Sequence, residues 1–316
     1  MNRSSFIIAS SVALVALPVL ARAAGGSVSV AYAGSLGVPM ERSIGPAFGM
    51  SGVQFKGEAK GSTAIANLIR DGLRTPDVFI SADTAAIESL RGPAGHDSAK
   101  WYATFASTRM QLAYSAKSKH AAAFDAAAKG KPPWYEVLLQ PDVVVARTDP
   151  AQDPKGYRVL LTMQLAESFY KHPGLAKAVL GEERNPNQVI PEEDALARLE
   201  SGSVDAIWAY STESVSRGLS VIELPPQVNL GDPAFAAAYA TVVVTIGTKT
   251  YRGGPIVYAL TIPTNATNPD GGATFVTFLL GEAGKDLLTR AGLHVVRPQI
   301  GGDRSAVPAV LLPLFR

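Results

Sequence analysis

The feature that most limits how this chain can fold is the alternation of short apolar, β-branched runs with longer stretches of helical periodicity. The strand-type runs are Val28–Ala33, Val53–Lys56, Val78–Ser81, Gln111–Ser115, Val143–Ala146 and Val204–Tyr210. Helical patterns lie between them, notably Ser62–Gly72, Pro154–Tyr170 and Pro191–Leu199, the last closed by Ser201 and Gly202. Glycine ends a helix there because it takes the left-handed conformation without steric penalty. Strands recurring between helices predict an α/β fold with largely parallel sheets. No Pro/Gly/Ser linker divides the chain once, and no repeat or low-complexity tract occurs beyond the alanines of 121–128. With 316 residues and no single linker, the expected organisation is two discontinuous lobes. Residues 24–115 and 246–316 form one lobe and residues 116–245 the other, the chain returning between Thr241 and Ile262. Two lobes joined by two strands make a hinged clamp.

The amino terminus stands apart. Arg3 is followed by an apolar run from Phe6 to Leu20 and then by Ala21, Arg22 and Ala23. The run is about 15 residues, short of the roughly 20 needed to span a membrane, and an Ala-x-Ala site follows it. Residues 1–23 therefore read as a signal peptide cleaved after about Ala23, which predicts an exported, periplasmic protein. The later apolar runs, residues 242–246 and 256–262, are strand-sized. There are 0 cysteines. Disulfides, thiolate chemistry, Cys-ligated zinc and a lipid anchor on cysteine are excluded, and roughly 290 mature residues must hold their fold by core burial alone. The net charge is +2 with scattered Lys and Arg, which argues against nucleic acid as a partner.

Two segments share one design. Ala33-Gly34-Ser35-Leu36-Gly37 follows the first strand, with Pro39 suited to a first helical turn. Lys60-Gly61-Ser62-Thr63 follows the second and leads into the periodic Ile65, Leu68 and Ile69. In both, a Gly-Ser pair sits where a strand hands over to a helix. Glycine lets backbone N–H groups approach a ligand, serine adds a hydroxyl donor, and a helix start carries partial positive charge. Either serine alone also fits an ordinary N-cap. Two such turns at the carboxyl ends of early strands, where α/β proteins bind ligands, point instead to an anion cradle. Asp153 before Pro154 fits an N-cap with proline at the first helical position, and Tyr210 at the end of its strand fits core or pocket equally. Residues 33–37 lack the first glycine of a Gly-x-Ser-x-Gly elbow, and His96, His120, His172 and His294 show no metal-ligand spacing. No catalytic set assembles.

Taken in order, several of these segments resemble the archaeal-type molybdate/tungstate-binding proteins, a branch of the type 2 periplasmic binding proteins. The resemblance is carried by Ala33–Leu36, Pro76-Asp77-Val78 with Ala82-Asp83, Trp101-Tyr102, Leu112-Ala113-Tyr114 and Trp134-Tyr135-Glu136. It continues through Asp153-Pro154, Gly156-Tyr157-Arg158, Gln164–Glu167, Leu199–Gly202, Glu223-Leu224-Pro225 and Pro255–Tyr258, nearly the whole mature chain to about Gly292. It implies a monomeric binding protein, not an enzyme, that needs no cofactor and delivers molybdate or tungstate to the permease of an ABC importer. Gly34, Ser35, Gly61 and Ser62 would donate to the oxyanion, and Asp153 would bring a carboxylate oxygen to the metal centre, with Tyr157 and Tyr210 nearby. The family's second carboxylate falls at Ala209, between Trp208 and Tyr210, so half of the pair is missing. Glu213 reaches the same place only if a helix begins between them. The departure leaves sulfate or phosphate as an alternative cargo, and an exported hydrolase as a remoter one.

Overall fold

The computed structural model describes residues 26–315, and the expected signal peptide lies outside them. Strand β1 (Ser27–Ala33) alternates half-buried serines with buried Val28 and Val30 and is wholly buried from Val30 on. β2 (Gln54–Lys60) and β3 (Val78–Ser81) pair with it in parallel on either side. β4 (Trp101–Thr108) shows the period of two expected of a strand with unequal faces, burying Trp101, Ala103 and Phe105 while Tyr102 and Thr104 are half-buried. After Arg109 the chain enters β5 (Met110–Tyr114). With β6 (Val145–Ala146), β7 (Ala206–Tyr210) and β8 (Ser220–Glu223) it forms a second sheet in the order β6-β7-β5-β8. β9 (Val243–Ile246) and β10 (Lys249–Arg252) make a separate hairpin. β11 (Ile256–Thr261) and β12 (His294–Gly302) then complete the first sheet, β12-β4-β11-β3-β1-β2.

Two expectations need correction. The chain leaves the first sheet at Arg109, not after Ser115, because Met110–Tyr114 pairs with β7 and β8. β4 and β5 are both buried and lie a single residue apart, so no change in hydropathy marks the crossing. The return falls at Ile256, inside the expected interval but past residue 246, since β9 and β10 pair only with each other. Nor are the sheets largely parallel. Among the strands of the described residues only β1–β2, β1–β3 and β6–β7 pair in parallel, while β11 and β12 pair antiparallel with their neighbours and β5 with β7 and β8. β11 arrives from the hairpin β9–β10 and not through a helix leading from β3 or β4, whereas β12 is reached from β11 through the helices Pro269–Leu280 and Glu282–Arg290 and runs parallel to β11 with β4 antiparallel between them.

The helix Pro154–Tyr170 forms over the expected residues, and everything from Pro154 to Arg158 is buried. Burying Lys155 and Arg158 at a helix start opposes the helix dipole and strips two cations of water, so both must find partners. The helix Glu192–Ser201 ends, as its sequence predicts, at Gly202 with φ +83°. Among the described residues no helix is long and apolar enough to cross a membrane.

Candidate functional site

Ala33 of β1 lies opposite Lys60 of β2 in the parallel register. Gly34-Ser35 and Gly61-Ser62 therefore emerge side by side at the carboxyl edge of the sheet. Neither serine is an N-cap. Gly61 caps the helix Ser62–Arg70, and Ser62 is its first residue. The Ser62 hydroxyl accepts from Ala82 N at 3.1 Å, which leaves its own hydrogen free to donate. Ser35 Oγ shares a hydrogen bond of 2.8 Å with Tyr258 Oη on β11. Both serines are buried and braced against the sheet.

The second lobe closes over these turns. Ala64 N donates to the Gln152 carbonyl at 3.3 Å. A Cβ at Gly61 would stand 2.5 Å from that carbonyl oxygen, and one at Gly34 would collide with the Glu192 carboxylate. Glycine at both positions is what permits the approach. Gly34, Lys60, Gly61, Asp153 and Glu192 line one cavity of about 500 Å³ between the lobes.

Asp153 caps the helix Pro154–Tyr170, its Oδ1 accepting from Lys155 N at 2.8 Å. Burial, and then the neighbouring Glu192, push its carboxyl up to about 7. Lys155 Nζ donates to Glu192 Oε1 at 2.9 Å and to Glu213 Oε1 at 2.6 Å. Burial alone would lower the lysine, but Glu192, Glu213 and Asp153 outweigh it and keep it charged. A helix does begin at Ser211, and Glu213 Oε2 accepts from Tyr210 N at 2.7 Å. Burial pushes the Glu213 carboxyl well up, against the pull of Lys155. Burial acts the same way on Glu192, yet Lys155 and the hydrogen bonds from Glu213 and Lys155 hold it below the usual range.

Arg158 ties the lobes together. It donates to the Ala82 carbonyl at 2.6 Å and to Tyr210 Oη at 2.7 Å, and pairs with Asp83 at 3.2 Å. Ala82 and Asp83 follow β3 in the first lobe, so the guanidinium spans the cleft. Tyr210 thus faces Arg158. Tyr157 turns elsewhere, its ring stacked on Tyr251 of the hairpin at 4.0 Å and its hydroxyl buried without a partner. Ala209 points to the other face of β7, into an apolar cluster with Ala195, Leu196 and Leu199 of the helix Glu192–Ser201. Of the residues expected at the site, the structure gathers Gly34, Ser35, Gly61, Ser62 and Asp153 at the cleft, places Tyr210 behind it, and sets Tyr157 and Ala209 apart. Lys155, Glu192 and the part played by Arg158 were missed. Cations in the first turns of a helix, where the dipole disfavours them, were the available signal for Lys155 and Arg158.

Two α/β lobes closing a polar cleft over strand-end glycine turns define a solute-binding protein. Comparison with known proteins makes the class specific. The chain belongs to the bacterial extracellular solute-binding protein family, matched over residues 28–294. It is 35% identical over 295 residues to an uncharacterized solute-binding protein of Petrotoga mobilis, covering 90% of this chain and 89% of that one. It is 31% identical over 306 residues to the molybdate/tungstate-binding protein WtpA of Thermococcus kodakarensis, covering 86% and 82%. Its fold matches the periplasmic molybdate-binding protein of Azotobacter vinelandii with a TM-score of 0.56 at 19% identity, covering 86% of this chain and 100% of that one. These are binding proteins and not enzymes, and Ser35 accordingly bonds to a tyrosine where a hydrolase would need a base.

Proposed function

We propose that this chain is the periplasmic solute-binding protein of an ABC importer and that it captures molybdate or tungstate between its lobes as a monomer, delivering it to the importer's permease. The observation that carries the reading is the pairing of two Gly-Ser turns in one register, with Asp153 facing them from the second lobe. The relatives named for molybdate and tungstate support the choice of cargo. Gly34, Ser35, Gly61 and Ser62 hold the anion's oxygens through N–H and O–H donors at the start of helical turns. Asp153 approaches the central atom once its cap bond to Lys155 N is released. Arg109 and the segment before Ile256 act as the hinge, and Arg158 as the clasp. The export signal at residues 1–23 accounts for the periplasmic location.

The test is a melting-temperature screen against single oxyanions. A ligand at 100 times its dissociation constant stabilises the folded state by about 2.7 kcal/mol. Molybdate and tungstate should each give a clear upward shift. A panel of molybdate, tungstate, sulfate and phosphate with no shift overturns the reading, and a shift with sulfate or phosphate alone reassigns the cargo.

A further inference from the structure

The two serines of the Gly-Ser turns are held in matching ways by unlike donors. Ser62 Oγ accepts from Ala82 N at 3.1 Å, and a backbone N–H can only donate, so the hydrogen of Ser62 is left for a ligand. Ser35 Oγ instead meets Tyr258 Oη at 2.8 Å, and in that pair either hydroxyl can be the donor. Ser35 has a single hydrogen. If an anion takes it, the bond to Tyr258 survives only with the phenol donating. Tyr258 is placed for this. It lies on β11, between β3 and β4 in the first sheet, and is fully buried. The pairing of β11 with β4 slips between Tyr258 and Ala259, and a bulge of that kind re-aims a side chain. Burial pushes the phenol well up, so it keeps its hydrogen near neutral pH. Thr212, the other hydroxyl beside the phenol, spends its own hydrogen on Thr108 Oγ1 at 3.1 Å and supplies none to Tyr258.

We propose that Tyr258 is a positioning residue for anion capture, its phenol donating to Ser35 Oγ and so leaving the serine's hydrogen for the anion. The proposal rests on the reading of the cleft as an oxyanion site. The donors run one way, from Tyr258 to Ser35 to the anion, and each O–H bond polarises the next. A serine oxygen whose hydrogen is drawn to an anion is the stronger acceptor, which favours Ser35 over Thr212 for the phenol's hydrogen. Without the phenol, the Ser35 hydroxyl turns about its Cβ–Oγ bond and has to be ordered by the ligand itself. Tyr258 thus does for the first turn what the Ala82 N–H does for the second.

The experiment is calorimetric titration of the full mature chain with sodium molybdate, for wild type, Tyr258→Phe, Ser35→Ala, Ser62→Ala and the two doubles that add Tyr258→Phe to each serine variant. Phenylalanine keeps the ring and removes the hydroxyl. Tyr258→Phe alone should weaken molybdate about fivefold. Added to Ser35→Ala it should cost less than about twofold more, because the hydroxyl it positions is already gone, whereas added to Ser62→Ala it should again cost about fivefold. A phenol that only braces the sheet would weaken binding alike in both serine backgrounds. Three results overturn the inference while leaving the oxyanion reading in place: Tyr258→Phe within about twofold of wild type, a further loss beyond about twofold on Ser35→Ala, or a loss that vanishes on Ser62→Ala as well. A wild type that binds no molybdate overturns both. If Tyr258→Phe does not fold, Tyr258→Met, whose unbranched side chain adapts to irregular space, is judged by the same cycle.

Discussion

Gly61→Ala separates closure of the cleft from folding of the lobes. Gly61 has φ −54° and ψ 131°, a conformation open to alanine. The substitution should therefore leave the ligand-free lobes as stable as before, or slightly more so through a less flexible unfolded chain. The new Cβ would stand 2.5 Å from the Gln152 carbonyl oxygen, roughly 1 Å inside a contact distance of about 3.5 Å. That oxygen belongs to the backbone and accepts from Ala64 N, so it cannot swing aside. The lobes must part by about the missing 1 Å. The Ala64–Gln152 bond is lost, at about 0.5–1.5 kcal/mol, and a donor contact to a charged ligand loosens, at about 1.5–3 kcal/mol. The sum is roughly 2–4.5 kcal/mol, so molybdate should bind about thirtyfold more weakly or worse. Calorimetric titration measures the affinity, thermal melting checks the fold, and small-angle scattering with and without molybdate checks compaction. A variant that binds and compacts as wild type does would refute the argument that these glycines exist to let the lobes meet.

Ser35→Ala and Ser62→Ala should each weaken molybdate binding about tenfold or more while the fold persists, since a hydrogen bond to a charged group is worth about 1.5–3 kcal/mol; wild-type titration curves for both would make the serines mere braces of the sheet. The Asp153 carboxyl is raised from 3.8 to about 7, so between those values the folded chain holds a proton that the unfolded chain has lost. Stability of the ligand-free protein should fall as pH rises from about 4 to about 7, and Asp153→Asn should flatten that part of the curve. Melting curves across that range decide it, and parallel curves for the two proteins would contradict the assignment. Ala209→Glu, which sequence alone makes the way to restore a second carboxylate, should instead lower the melting temperature by several degrees with no gain for tungstate over sulfate. The new charge enters the apolar cluster of Ala195, Leu196 and Leu199, and a buried unpaired charge is among the costliest of substitutions. A stable variant with a raised tungstate preference would show that residue 209 faces the ligand.

The readable part of this molecule is what local pattern determines. The α/β class, the bounds of Pro154–Tyr170, the stop at Gly202 and the position of the two Gly-Ser turns all follow from residues adjacent in the chain. The crossing at Arg109 does not, because β4 and β5 are alike in composition and only their hydrogen-bond partners, far along the chain, separate them. The same holds for the cleft. Asp153 was legible because proline follows it, and Gly34 and Gly61 because serine does. Glu192 was hidden, since three acids opening a helix look like ordinary complements to its dipole. Its place at the cleft depends on Gly34, more than a hundred residues earlier, and on Lys155 from a third segment. Ala209 was placed in the site by likeness to relatives, but the alternation along β7 settles its direction. Trp208 and Tyr210 face one side, and Ile207 and Ala209 the other.

The ion pairs decide how an anion can be held. Lys155 and Arg158 are the buried cations at the cleft, and four carboxylates surround them: Asp83, Asp153, Glu192 and Glu213. Burial pushes Glu213 well up, against the pull of Lys155, and Asp153 up to about 7. Each cation is already engaged, Lys155 by Glu192 at 2.9 Å and Glu213 at 2.6 Å and Arg158 by Asp83 at 3.2 Å. Neither of these two cations is left over for the ligand, and a bound dianion rests on neutral donors, the N–H groups and hydroxyls of the two Gly-Ser turns. Such donors act over a bond length and not at a distance, and of the cations lining the cavity only Lys60, exposed on its rim, answers to screening. Raising sodium chloride from about 0.05 to about 0.5 M, across which the Debye length shrinks well below the span of the cleft, should change molybdate affinity by less than about threefold. A steep fall would mean that Lys155 or Arg158 leaves its carboxylate and turns to the ligand when the anion arrives.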